Sequence, residues 1–234
     1  MKSRLLIIAA LLAGLSASAQ SFKPLETWPY LYEDFTEGGA ITFNDDVVKY
    51  DRMNINLIDG KLHYIQNGTI MVADLLKIKY VTIEADVYAN VMGRLMKVLR
   101  ETPHGGVLLD RTVNAEEMKK ASIGYGKSAV ASTQHVSSMA LEAPNDFNTG
   151  VVGRSLDDFN TDKYSGNELP VKETRYLSVD GYTVRAAKKE VMAFPGIDAN
   201  ALKSYLKAGK VKFNNVEDLA SLVEFLHSNG NTRQ

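Results

Sequence analysis

Three strings in this chain combine residue types and spacings that suit chemistry. Ala121-Ser-Ile-Gly-Tyr-Gly-Lys127-Ser128 has the glycines, lysine and hydroxyl of a phosphate-binding loop, with alanine in place of the first glycine. That chemistry needs a buried strand feeding the loop and a helix leaving it, so that backbone N–H groups converge on phosphate. The preceding Glu116-Glu-Met-Lys-Lys120 is charged and offers no strand, and Val107-Leu-Leu-Asp110 matches a Mg2+-site strand only superficially, so nucleotide binding is not expected. Asp158, Asn160 and Asp162 set three oxygen ligands at alternate positions, as calcium loops do. Lys163 stands where the sharp turn needs glycine and no bidentate glutamate follows, which leaves a weak calcium candidate; Asp146-Phe-Asn148-Thr-Gly150 partly repeats the string upstream. Trp28, Tyr30 and Tyr32 form an aromatic string suited to stacking on sugar rings. With Phe22 and Phe35, the same string also suits a chain terminus that pins itself onto a core, the commoner use of such clusters.

The remaining reactive side chains form no recognisable set. His63, His104, His135 and His227 show neither H-x-x-H nor H-E-x-x-H spacing. His104-Gly105-Gly106 is similar to an oxyanion-hole loop, but no G-x-S-x-G nucleophile elbow accompanies it. Ser137 and Ser138 lie near His135 in sequence, yet a triad is defined by geometry rather than by proximity along the chain. Cysteine is absent, which excludes thiol nucleophiles, thiolate zinc sites and iron–sulfur clusters. No catalytic residue and no cofactor is expected.

The opening of the chain fixes an expected address. Lys2 and Arg4 precede an apolar run from Leu5 to Leu15, and Ala17-Ser18-Ala19 provides an A-x-A cleavage site. The run is too short for a mature bilayer-spanning helix, which needs roughly 20 residues. The expectation is a signal peptide over residues 1–19, cleaved after Ala19, and a periplasmic or secreted protein starting at Gln20. Of the 27 basic residues Lys2 and Arg4 leave with the leader, against 28 acidic residues that stay, so the mature charge is slightly negative. A near-neutral surface argues against nucleic acid as a partner, and no later run suits membrane insertion. Without cysteine, neither a lipoprotein anchor nor disulfides can help, so the core must hold the fold.

Behind the leader, period-two patterns dominate from Gly39 to Leu99. Asp59-Gly60 predicts a two-residue turn between Met53–Leu57 and Leu62–Ile65, and Asn67-Gly68 leads into Thr69–Val72. Val81 to Val91 alternates without interruption and reads as one long strand, or two with a bend near Ala85-Asp86. Leu95–Leu99 and Gly105–Val113 supply further strands, and Asn114 can cap a short helix through Ala121. Ser122 to Pro170 is rich in Ser, Gly, Asn and Asp with little periodicity, and is expected to be a flexible polar excursion. Asp180-Gly181 joins Arg175–Val179 to Tyr182–Arg185 as a hairpin. Helices follow from near Ala187, from Asp198 to Gly209, and from Asn215, where Val216, Leu219, Leu222, Val223 and Leu226 make one apolar stripe.

Several of these strings resemble those of a family of small exported proteins common in Bacteroidetes. The similar features are Trp28-Pro-Tyr-Leu-Tyr-Glu-Asp-Phe35, Asn54-Ile-Asn-Leu57, Arg94-Leu-Met-Lys-Val-Leu99, Gly124-Tyr-Gly126 and Tyr176-Leu-Ser-Val-Asp-Gly181. The resemblance implies a periplasmic or secreted location and carries over no catalytic residue.

The expected architecture is α+β: an antiparallel β-rich body, a curved sheet or open barrel, with two or three C-terminal helices and a long polar loop. Residues 20–121 form the body, 122–170 the excursion, and 171–234 the hairpin and helices that complete the same domain. The expected function is a non-enzymatic periplasmic interaction protein whose partner is an envelope protein or a surface glycan. A small-ligand or carbohydrate-binding module using Trp28, Tyr30 and Tyr32, and an exported hydrolase, are the alternatives.

Overall fold

The computed structural model describes residues 29–114 and 171–230. Ten strands form one antiparallel sheet: β1 (Thr36–Thr42), β2 (Val47–Ile55), β3 (Leu62–Gln66), β4 (Thr69–Val72), β5 (Ile78–Ile83), β6 (Asp86–Val91), β7 (Arg94–Thr102), β8 (Gly105–Val113), β9 (Val171–Val179) and β10 (Tyr182–Arg185). Their spatial order is β10-β9-β8-β7-β6-β5-β1-β2-β3-β4, so β10 and β4 are the edges. Three helices follow: α1 (Lys188–Val191), α2 (Ala199–Ala208) and α3 (Val216–Asn229). This is the β-rich α+β fold expected, with the sheet curled into a half-barrel.

The turns explain the succession of hairpins. Asn67-Gly68, Met92-Gly93 and Asp180-Gly181 each hold two residues at positive φ, as the tight type I′ connection requires. Val81 to Val91 is neither one strand nor a bent one: the chain reverses at Glu84-Ala85, and Ile83 pairs with Asp86. The reversal inverts the phase: Val81 and Ile83 share a face with Asp86 and Tyr88, whereas Val87, Ala89 and Val91 lie on the other, so the unbroken alternation concealed the turn. The Asp59-Gly60 turn is also corrected. Ile55 pairs with Leu62, and a six-residue connection, 56–61, joins the strands. Asn56 organises it, its Oδ1 accepting the Ile58 N–H at 2.8 Å, while Gly60 N–H donates to the Asn56 carbonyl at 2.8 Å.

Register shifts between Thr36 and Gly38 in the β1–β2 pair, and between Val98 and Arg100 in the β7–β8 pair, bend the sheet. As it curls, the β2–β3 connection reaches the ends of distant strands. The Gly60 carbonyl accepts from Leu95 N–H at 2.8 Å, and the Leu57 carbonyl accepts from Val113 N–H at 3.4 Å.

One face of the sheet carries both main cores. Cross-strand pairing puts Ala40, Val81 and Tyr88 on the same face, and Val107, Leu177 and Val184 on that face further along. The first group packs with Leu31, Met53, Ile55, Leu57 and Leu62 inside the curl. The second packs under the helices, against Val191, Phe194, Leu202, Leu219, Leu222, Val223 and Leu226. The α3 stripe read from sequence thus lies on β7, β8 and β9. Asn215 caps α3 by accepting the Asp218 N–H at 3.0 Å. Asn215→Ala should lower stability by about 1 kcal/mol in urea denaturation, the usual worth of such a cap; an unchanged midpoint would show that packing alone sets this helix start.

Candidate functional site

Three polar constellations and one groove stand out among the described residues. The first is a buried chain, Tyr30–His63–Asp59. Tyr30 and His63 are each 1% exposed. The Tyr30 hydroxyl lies 2.9 Å from His63 Nδ1, and His63 Nε2 lies 3.2 Å from Asp59 Oδ2. The neutral tautomer that satisfies both contacts protonates Nε2 toward the carboxylate and accepts the Tyr30 O–H at Nδ1. The order of groups is that of a catalytic triad with tyrosine in the nucleophile's place. The hydroxyl, however, is sealed in the interior, so the chain fastens the N-terminal segment to β3. Asn54, also buried, completes the fastening: its Nδ2 donates to the carbonyls of Tyr32 and Asp34, and its Oδ1 accepts the Tyr32 N–H.

The second constellation gathers Tyr32, Tyr88, Asp86 and Lys97. The two hydroxyls are 2.6 Å apart, and Tyr32 O–H and Tyr88 O–H reach Asp86 Oδ2 at 3.2 and 3.3 Å. Lys97 Nζ holds the other carboxylate oxygen at 2.6 Å. Burial, reinforced by the neighbouring carboxylate, pushes both phenols well above their ordinary range, so they stay protonated. A neutral, mutually bonded tyrosine pair is a lock and not a base.

The third lies where two hairpin turns meet the C-terminal end of α3. His104 and His227 stack with ring centroids 3.4 Å apart and planes 9° from parallel. His104 Nδ1 donates to Glu224 Oε2 at 2.7 Å, and His227 Nδ1 donates to Asp180 Oδ2 at 2.6 Å. The hydrogen bond from His104 is the main cause holding the Glu224 carboxyl below its usual range. Imidazoles anchored by carboxylates resemble the surroundings of metal-bound histidine. The stack argues against that use: a metal sits in the plane of each ring at about 2.0–2.1 Å, and near-parallel planes 3.4 Å apart share no such point. The four side chains instead tie α3 to the β7–β8 and β9–β10 turns.

Those same turns border a groove of about 510 Å³ on the sheet face opposite the helices. Its floor is Ala89, Val98, Gly106 and Leu108, and Ser178 and Thr183 add hydroxyls. Pairing of Val98 with Leu108, Gly106 with Ser178, and Ser178 with Thr183 places these residues on one face, away from Val107 and Leu177. Tyr182, on edge strand β10, pairs with Val179 and so turns its half-exposed ring to the helix side of the sheet, edge-on to Phe194 at 5.3 Å. Lys79 and Glu101 give the rim one charge of each sign.

The aromatic string is divided by this arrangement. Tyr30 has its ring against Phe35 and His63 and presents no face to a ligand. Tyr32 is part-buried with its hydroxyl engaged, and Trp28 lies outside the described residues. Asp158, Asn160 and Asp162, the 121–128 loop, His135, the 122–170 excursion and the leader also lie outside them. The groove itself was not read from the sequence. Its one local signal is Gly105-Gly106, adjacent glycines within a strand, which mark close backbone approach. No family profile, curated protein or solved structure matches this chain.

Proposed function

We propose that this is an exported, non-enzymatic interaction protein that holds an extended segment of a partner protein in the groove beside β10. The observation that carries the reading is the position of the groove. It crosses the strands from β5 to the last hairpin of the sheet, and β10 has no strand on its outer side. An added strand would bond its backbone to Tyr182–Arg185 while alternate side chains enter the groove, the established mode of β-augmentation. The apolar floor supplies the contact area, and Ser178 and Thr183 supply hydrogen bonds.

The described histidine clusters favour binding over hydrolysis. In one, the hydroxyl is inaccessible; in the other, the rings contact carboxylates and each other. The leader at residues 1–19 supports an envelope setting, where an envelope protein is the natural partner.

Thr183→Trp tests the reading, because a bulky β-compatible side chain on β10 fills the groove without disturbing either core. Partner capture should fall at least tenfold while the unfolding midpoint stays unchanged. Undiminished capture would place the partner elsewhere, and capture of a surface glycan in place of a protein would favour the carbohydrate alternative.

A further inference from the structure

Phe43, Val47, Val48, Leu76, Met92 and Tyr182 are the large apolar side chains exposed among the described residues. All but Tyr182 belong to one rim of the half-barrel. The β1–β2 turn carries Phe43, the start of β2 carries Val47 and Val48, the β4–β5 connection carries Leu76, and the β6–β7 turn carries Met92. Hydrogen bonds join the three loops. Phe43 N–H donates to the Lys77 carbonyl at 3.0 Å, and Asn90 Nδ2 donates to the carbonyls of Leu75 and Ile78 at 2.6 and 2.7 Å. The β5–β6 register, with Tyr80 opposite Ala89, carried outward brings Met92 opposite Lys77, next to Phe43.

The loops are also set in shape. Thr42 Oγ1 accepts the Asn44 and Asp46 N–H groups, and Asp74 Oδ1 accepts the Leu76 N–H at 3.1 Å. The apolar side chains are therefore presented in advance, with little ordering left to oppose binding.

We infer that this rim inserts into the interface of an uncharged lipid bilayer. Two observations select that occupant. Exposures of 58% for Phe43, 68% for Val47, 89% for Leu76 and 79% for Met92 describe separate knobs that their neighbours scarcely screen. A protein partner would have to offer a pocket to each knob, and a second convex copy of this rim could not, whereas a bilayer interface yields around all of them. The charges beside the knobs cancel: Asp45, Asp46 and Asp74 stand against Lys49, Lys77 and Lys79, with Lys77 Nζ 3.4 Å from Asp74. Binding then depends on apolar contact and needs no anionic lipid.

The test is co-sedimentation of the exported form, beginning at Gln20, with phosphatidylcholine vesicles. Binding should occur and should persist when salt is raised to about 0.5 M, where exposed charges are screened. Phe43→Ser with Leu76→Ser should weaken it roughly tenfold or more, as expected for losing two inserted apolar side chains. Phe43→Leu should retain it, and urea midpoints should match throughout. Met92 stays untouched because it also borders the groove, so loss of vesicle binding and loss of partner capture remain separable. The inference is overturned if the protein stays in the supernatant, or if the double variant binds as well as the parent. It is equally overturned if only phosphatidylglycerol vesicles bind and salt releases them, or if the double variant breaks a dimer and not a lipid complex.

Discussion

Replacing His63 by leucine is expected to destabilise the protein by about 3–4 kcal/mol, the range for a buried residue whose removal breaks two hydrogen bonds in the interior. The imidazole is the shared partner of the Tyr30 hydroxyl, sealed in the core, and of the Asp59 carboxylate. Leucine fills much of the space but accepts nothing from tyrosine and donates nothing to aspartate. Adding Tyr30→Phe removes the hydroxyl that lost its bond to His63 and should recover about 1 kcal/mol, so the double variant is more stable than His63→Leu alone. Urea denaturation checks both values. A loss under about 1 kcal/mol for His63→Leu would mean that the chain of hydrogen bonds contributes little.

The same chain sets a pH dependence. Burial alone raises the Asp59 carboxyl, but the hydrogen bond and charge of His63, with the Lys61 N–H, outweigh it and leave the group below its ordinary value. A carboxylate depressed by folding contributes stability that is fully present above its unfolded value, near 3.9. That contribution disappears as pH falls through the lower folded value. Asp59→Asn should therefore flatten the acid limb of the stability profile and leave its neutral shape unchanged.

This polar chain also marks where the sequence stopped being legible. The turns could be read because Asn67-Gly68 and Asp180-Gly181 carry their own backbone preferences, and the α3 stripe because 3.6-residue periodicity is local. His63 falls within the strand expected at Leu62–Ile65, and Tyr30 suits either a core or a stacking role. Their meeting depends on the N-terminal segment lying along the end of β2, where Tyr30 bridges to Asn56 and Leu31 N–H donates to the Ile55 carbonyl, a pairing that no short window of sequence displays. The His104–His227 stack joins residues from a hairpin turn and the last helix, far apart in the chain. The groove is a property of shape, made by residues from six strands that no local pattern groups together.

Gly105→Ala is the second large effect, with an expected loss of at least about 3 kcal/mol or no recoverable folded protein. Gly105 opens β8 opposite Val179 with φ at +154°, and a Cβ there would overlap the Ser178 carbonyl oxygen. Both parties are backbone, so no rotamer change relieves the overlap and the β8–β9 pair must part at this end. The damage should spread, because the neighbouring His104 carbonyl accepts the Asp180 N–H at 2.9 Å and the His104 ring stacks on His227. Gly68→Ala and Gly93→Ala are the controls. Both positions have positive φ, but a Cβ at either meets nothing within 4 Å. They should lose only about 1 kcal/mol, the conformational cost alone. Equal losses at all three positions would show that the close approach of β8 to β9 is not what requires Gly105.

Gly105 also lines the groove, together with Gly106 and Gly181. The proposed role therefore depends on a surface that packing has left open beside an edge strand. The most direct test puts a photo-crosslinking amino acid at Thr183, inside the groove, and separately at Lys203, exposed on α2, in cells that express the 234-residue chain. The account predicts an adduct from position 183 that maps to a single segment of one envelope protein, and none from position 203. No adduct at 183, or the same adducts from both positions, would contradict it.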